Sequence, residues 1–236
     1  MTDLRAFIAP APQGWRIEIL RKQIRHIYFR VFQDKKLVRV SAPLRVRQAV
    51  LDAAIAAKAP WLLKQVHTRK TRPRISTEMQ AGDTAWYKGR ACPIVYMETS
   101  GPGRVVMDPD RRLRVYARPG ATPEKKQHLL SQWYRNRLKV EIRLLLDKWE
   151  PVIGVTAREF GVKKMKTRWG SCNTRAQRIW LNAALIRLSP CYLEYVLVHE
   201  LVHLLERGHN PRFYGFMDRF LPGWKRLKDA LNQYIL

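Results

Sequence analysis

The chain has 236 residues, of which 46% are hydrophobic and eight are tryptophan, enough apolar material for a buried core and too much for a disordered chain. Its 45 lysines and arginines against 19 acidic residues leave a formal net charge of +26, which favours nucleic acid, nucleotides or a ribosomal surface as partners, held with an affinity that falls as salt rises. The excess is no detachable tail: basic residues outnumber acidic ones 17 to 5 in residues 1–80, 14 to 8 in 81–150 and 14 to 6 in 151–236.

The first residues, Met1 to Phe7, show no apolar stretch behind a basic start, so no secretory signal is expected. No apolar run approaches a membrane span of roughly 20 residues, and no membrane association is expected. Cys92, Cys172 and Cys191 are odd in number and lack paired spacing, the usage of reduced thiols in a cytoplasmic protein.

Taken in order, residues 16–32 set isoleucines, Phe29 and Val31 among basic residues, and His26 to Phe32 alternates as a half-buried strand does. Gln33 to Lys36 makes a turn, Leu37, Val38 and Val40 return as a second strand, and Pro43 closes the hairpin. Arg47 to Gln65, rich in alanine and leucine, reads as a helix that Pro60 is placed to kink or split, and Lys64 to Arg74 as a polar surface connection. Asp83 to Tyr96 reads as a hairpin about Gly89. Strands at Val105–Met107 and Leu113–Tyr116 come next, with turns at residues 100–103 and 108–110. Val38, Ile94, Val106 and Val115 thus mark a small, mostly antiparallel β domain with one inserted helix.

Thr122 and Pro123 are N-cap and first residue of a long helix that carries Leu129, Trp133, Leu138, Ile142 and Leu145 at helical spacing and ends at Pro151. The expected fold class is α+β, with a β-rich N-terminal domain over residues 1–120 and a second domain over 121–236. Within the latter, Phe160, Val162, Met165 and Ile179 to Leu181 are strand-like and flank a turn at Gly170–Asn173. Ser189-Pro190 caps the next helix, and two short helices, broken at Pro222-Gly223, close the chain.

That capped helix carries His199-Glu200-Leu201-Val202-His203. Residues four apart share a helix face, so His199 and His203 can reach one metal ion, and Glu200 stands where a carboxylate can take a proton from water. Imidazole suits Zn2+, which in catalytic sites takes three protein ligands and keeps one position open. No glutamate occurs after Glu206, so the third ligand is expected to be His209, the last histidine. Gly208 is expected to take a positive φ, ending the helix and turning the chain back, before Asn210-Pro211 starts the next one. Asp218 is the reserve ligand. An apolar helix with two histidines and a glutamate needs partners for them, which favours ligation over satisfied core histidines.

Arg168-Trp169-Gly170-Ser171-Cys172, Ile179 to Asn182, Ser189-Pro190, Tyr195 to His203 and His209 to Phe213 together resemble the YgjP-like metallopeptidase family, and the likeness extends to the N-terminal hairpin and to Trp86-Tyr87-Lys88-Gly89-Arg90. The resemblance implies a minimal zincin-like core of long helix, strands, metal helix and helix, with an edge strand that pairs with an extended substrate. It also implies likeness to SprT-type proteases that act on DNA-bound proteins. Some members of the family carry the name UTP pyrophosphatase, a different chemistry on the same site. This chain is more basic than a generic member, which fits an anionic partner.

Three functions are consistent with these features. The first is a zinc peptidase with Glu200 as general base, acting on protein or peptide and recruited by nucleic acid; Tyr214 and Arg212 are candidate oxyanion donors. The second is a nucleoside triphosphate pyrophosphatase, in which the basic run Lys163, Lys164, Lys166 and Arg168, with Trp169, forms an anion- or substrate-binding rim. The third is a non-catalytic nucleic-acid-binding module with structural zinc, disfavoured because a closed site needs four ligands. Cys172 reads as structural, since nothing near it in sequence lowers a thiol's pKa.

Overall fold

The computed structural model describes residues 2–8, 11–32, 35–67 and 84–234. Gln33, Asp34 and Asp83, and the part of the expected basic connection beyond His67, lie outside them. The chain divides into two compact units, Met1–Thr71 and Arg72–Leu236.

The first unit holds β1 (Thr2–Asp3), β2 (Arg16–Lys22), β3 (Tyr28–Phe32), β4 (Leu37–Pro43) and α1 (Gln48–His67). The expected hairpin is β3–β4, with Val31 opposite Val38. The sheet order is β1-β2-β4-β3, and β2 runs parallel to β4, so the sheet is mixed. Val38, Val40 and Ile17 are buried with Leu51, Ile55 and Leu62 of α1. That helix neither splits nor stops at Pro60; proline removes one intrahelical bond, and burial of Leu62 and Val66 beyond it holds the last turns in place.

The second unit begins with β5 (Thr84–Tyr87), β6 (Arg90–Glu98), β7 (Arg104–Met107) and β8 (Leu113–Ala117), ordered β5-β6-β8-β7 with β6 parallel to β8. This repeats the plan of the first sheet, and again a helix comes after it, α2 (Pro123–Ile153). The expectation of a single, mostly antiparallel domain over residues 1–120 is therefore corrected. There are two mixed sheets, and the second shares its core with the C-terminal elements: Ala85, Cys92 and Leu113 are buried with Leu130, Trp133 and Leu138 of α2. The units consequently divide between residues 71 and 72, well before residue 120.

Thr122 caps α2 by accepting from the Lys125 amide. The helix does not end at Pro151. Its last turn runs on to Gly154, whose φ of 78° and N–H to the Glu150 carbonyl close it. A third sheet is built from β9 (Glu159–Lys163), β10 (Gly170–Asn173) and β11 (Arg178–Asn182), in the order β10-β11-β9. Gly170–Asn173, expected as a turn, is a strand antiparallel to β11, with Gly170 opposite Leu181; the turn lies beyond it, where Gln177 takes a φ of 47°. The chain then runs through α3 (Pro190–Val202), α4 (Pro211–Phe220) and α5 (Trp224–Leu231). No helix among the described residues is long and apolar enough to cross a membrane.

The β5–β6 turn fixes the approach to α3. Lys88 and Gly89 both have positive φ, 50° and 75°, the pair of angles a two-residue hairpin of the mirror-image type I turn requires. Their amides donate to the Ile186 and Arg187 carbonyls, just before the N-cap Ser189. A Cβ at Gly89 would stand 3.1 Å from the Ser189 backbone, whereas one at Gly120 (φ 72°) would meet nothing. Gly120→Ala is expected to cost about 1 kcal/mol from backbone strain alone, and Gly89→Ala about 2–3 kcal/mol because the backbone contact adds to it. Urea unfolding of both variants checks the difference.

Candidate metal centre and active site

α3 is apolar on nearly every side. Leu193, Val196, Leu197, Val198, Leu201 and Val202 are all buried, so the helix lies inside the core and its polar residues are held by their surroundings. His199 is mostly buried and its pKa is pushed down to about 3, first by desolvation and then by its neighbours His203 and His209. His203 is also lowered, mainly by burial. Both rings are thus neutral at physiological pH, the form that binds metal.

The helix ends without help from Gly208, which is not among the residues with positive φ. His203 itself is the C-cap, with φ −63° and ψ −19°. The Leu204 and Leu205 amides donate three residues back, to the Leu201 and Val202 carbonyls, tightening the end into a 3₁₀ turn. The chain then reaches His209, and Asn210 caps α4 by accepting from the Phe213 amide at 3.0 Å. The metal-binding nitrogens of His199, His203 and His209 lie within 4.8 Å of one another.

His199 Nε2 and His209 Nε2 are 3.0 Å apart. Two nitrogens at zinc's usual distance of about 2.0–2.1 Å and tetrahedral angle stand about 3.3 Å apart, so this pair is close to the spacing a metal imposes. His203 Nδ1 lies 3.2 Å from the Glu206 carbonyl. A carbonyl only accepts, so Nδ1 carries the proton and Nε2 is left bare for a metal. His199 Nδ1 is buried without a partner among the described residues, which leaves Nε2 as the nitrogen that faces the other imidazoles. The three residues therefore fit a divalent metal.

Phe213, fully buried, floors the cluster: its ring centroid is 4.9, 4.7 and 4.7 Å from those of His199, His203 and His209. Trp224 stacks on Tyr214 at 5.6 Å and lies 6.4 Å from Tyr195, whose ring is 6.0 Å from His199. Asp218, the reserve ligand, is spent on this layer. It accepts from Trp224 Nε1 at 2.8 Å and pairs with Lys225, and those hydrogen bonds lower its pKa.

Glu200 is 6% exposed and its pKa is pushed up to about 8 by desolvation, against the pull of Arg168. It lies against β10. A Cβ at Gly170 would fall 2.6 Å from Glu200 Oε1 and 2.8 Å from Val196, so only glycine lets the strand approach the helix this closely. A cleft of about 240 Å³ opens here, walled by Arg168, Trp169, Tyr195, His199, Glu200 and Lys228. A larger hollow of about 670 Å³ at the start of α2, beside Arg118 and His128, contains none of the clustered histidines.

Of the expected basic rim, the structure brings Arg168 and Trp169 into the cleft wall. Lys163 instead lies over the Trp180 ring at 3.5 Å, and Lys164 and Lys166 are exposed outside the wall. Tyr214 and Arg212 do not line the cleft either; Arg212 sits over Phe216. Cys172 on β10 is a thiol pushed up to about 11 by burial and by Glu200, inert as a nucleophile. Four supporting residues have roles that sequence reasoning did not assign. Phe213 and Gly170 are described above, and Lys228 had no local signal. The buried Asn182 donates to the Met165 and Arg168 carbonyls and fixes the loop that leads into β10.

A family model of the YgjP-like metallopeptidase domain matches residues 25–234, a span that takes in the histidine cluster, Glu200 and the strand beside them. The chain belongs to this family. No curated protein matches. Among solved structures, the metallopeptidase zymogen abylysin of Pyrococcus abyssi is similar at 22% identity over 38% of this chain and 90% of that one, with a TM-score of 0.36.

The buried groups titrate with opposite signs. His199 and His203, depressed below 6.5, contribute stability that is complete above that pH and lost as pH falls. Glu200, raised from 4.5 to about 8, contributes stability that is complete below 4.5 and lost as pH rises to 8. Between pH 6.5 and 8 the Glu200 effect acts alone, so metal-free protein should lose up to about 2 kcal/mol there. Thermal melts of metal-free Glu200→Gln protein should be flat over that window.

Proposed function

We propose that the protein is a zinc-dependent peptidase whose metal ligands and catalytic base lie in the second unit, Arg72–Leu236. The observation that carries this reading is the convergence of three histidine nitrogens within 4.8 Å beside the buried carboxyl group of Glu200 on α3, which faces strand β10. His199, His203 and His209 hold the metal, and three imidazoles with an open fourth position suit Zn2+. Zinc bound there supplies a Lewis acid that polarises a carbonyl and acidifies water. Glu200, in the cleft wall with His199, takes the proton of the attacking water and passes it to the leaving amine. Among the described residues β10 is paired on one side only, by β11, and its other edge offers backbone groups to an extended peptide. The basic surface recruits the enzyme to nucleic acid, where DNA- or RNA-bound proteins become its substrates. The three free thiols fit a reducing, cytoplasmic setting.

Nucleoside triphosphate hydrolysis is the second reading, favoured by the cations Arg168 and Lys228 at the same cleft. Zinc-loaded protein incubated with a peptide pool and, separately, with UTP distinguishes the two. Peptide cleavage should fall by about 10²–10⁴-fold in Glu200→Gln while zinc remains bound. Pyrophosphate released from UTP by the parent and not by the variant would instead establish the nucleotide reading, and undiminished cleavage by the variant would remove Glu200 as base.

A further inference from the structure

Eight salt bridges among the described residues tie cations to carboxylates, including Lys225 to Asp218 and Arg178 to Glu159. Arg168 and Lys228 take part in none of them. Both are exposed, and both face the cleft that contains Glu200 and His199. They come from separate elements, Arg168 from the loop that Asn182 clamps before β10 and Lys228 from α5. Lys228 is steadied by Trp224, with its Nζ 5.5 Å from the ring centroid. Each also exerts its charge on the site, Lys228 lowering the pKa of His199 and Arg168 that of Glu200. Among the described residues Glu200 is the only acid in the cleft wall, and catalysis occupies it. The cleft thus presents two cations that no carboxylate among the described residues pairs with at salt-bridge distance.

Its size narrows what they receive. At about 240 Å³ the cleft is smaller than the roughly 300–1,000 Å³ of pockets that enclose a whole small ligand, and it suits a side chain of an extended substrate. We propose that Arg168 and Lys228 together receive a substrate carboxylate, so that the enzyme prefers peptides with an acidic residue beside the scissile bond. This rests on the peptidase reading and adds the substrate class to it. Guanidinium and ammonium groups that converge on one carboxylate give charge-assisted hydrogen bonds, and they disfavour a lysine in the same place by like-charge repulsion.

The test uses zinc-loaded protein and a set of peptides that differ at one position, Asp or Glu against Asn or Gln against Lys. The expected kcat/KM ratio of acidic to amide peptide is about tenfold or more, carried mainly by KM. Lys228→Glu and Arg168→Glu should each bring that ratio down to about one and improve lysine peptides. Arg226→Glu, the same charge change on α5 outside the cleft wall, should leave the ratio as it is. Fluorescence anisotropy of the labelled peptides on Glu200→Gln protein should give the same order of affinities without turnover. Cleavage with no acidic preference, or a preference that survives both charge reversals, overturns this proposal alone. UTP hydrolysis that depends on the two cations, without peptide preference, assigns them to phosphate and overturns it. Absence of any peptide cleavage and binding removes the peptidase reading and the proposal with it.

Discussion

Burial of polar groups inside an apolar helix is the constraint on which the structure turns. α3 is buried on nearly every side, yet it carries two imidazoles and a carboxyl group, and each polar group removed from water costs free energy unless a partner replaces the solvent. The surroundings answer most of that cost, and His199 Nδ1 is left without a partner among the described residues. His203 donates to a carbonyl, His199 faces His209, Phe213 packs under all three rings, and Glu200 opens to a cleft cut by the approach of β10. The depressed histidine and raised glutamate pKa values are the same fact expressed as proton affinity.

The supporting layers arise from this requirement. The β5–β6 turn holds the segment before α3 through the Ile186 and Arg187 carbonyls, α2 lines the core behind it, and Asn182 pins the loop that leads into β10. Asp218 holds Trp224 in the aromatic layer beside Tyr195 and Tyr214. An acidic residue that looks like a spare ligand in one dimension serves to orient the ligands' neighbours in three.

Much of the site was legible because it is local. His199, Glu200 and His203 are spaced by helix geometry, and the Asn210-Pro211 start of α4 places His209 within reach. The features that were not legible depend on pairing across distance. The strand Gly170–Asn173 reads as a turn because glycine and asparagine are turn residues; its strand state comes from pairing with β11 and packing on α3. Lys228 is one of many surface lysines until α5 folds beside the cleft. The boundary near residue 120 failed for a similar reason, since cross-strand partners such as Ile94 and Leu113 do not announce which helix covers them. Likewise the two sheets share one topology with no repeat evident in sequence, because mixed pairing preserves only the burial pattern and not residue identity.

X-ray absorption at the zinc edge of stoichiometrically reconstituted protein bears most directly on the three-histidine centre. The expected spectrum contains three imidazole nitrogens at about 2.0–2.1 Å with one further light-atom ligand, and one imidazole fewer in His209→Ala. A sulfur shell at about 2.3 Å, which would bring in Cys172, or a spectrum unchanged by His209→Ala, would contradict it.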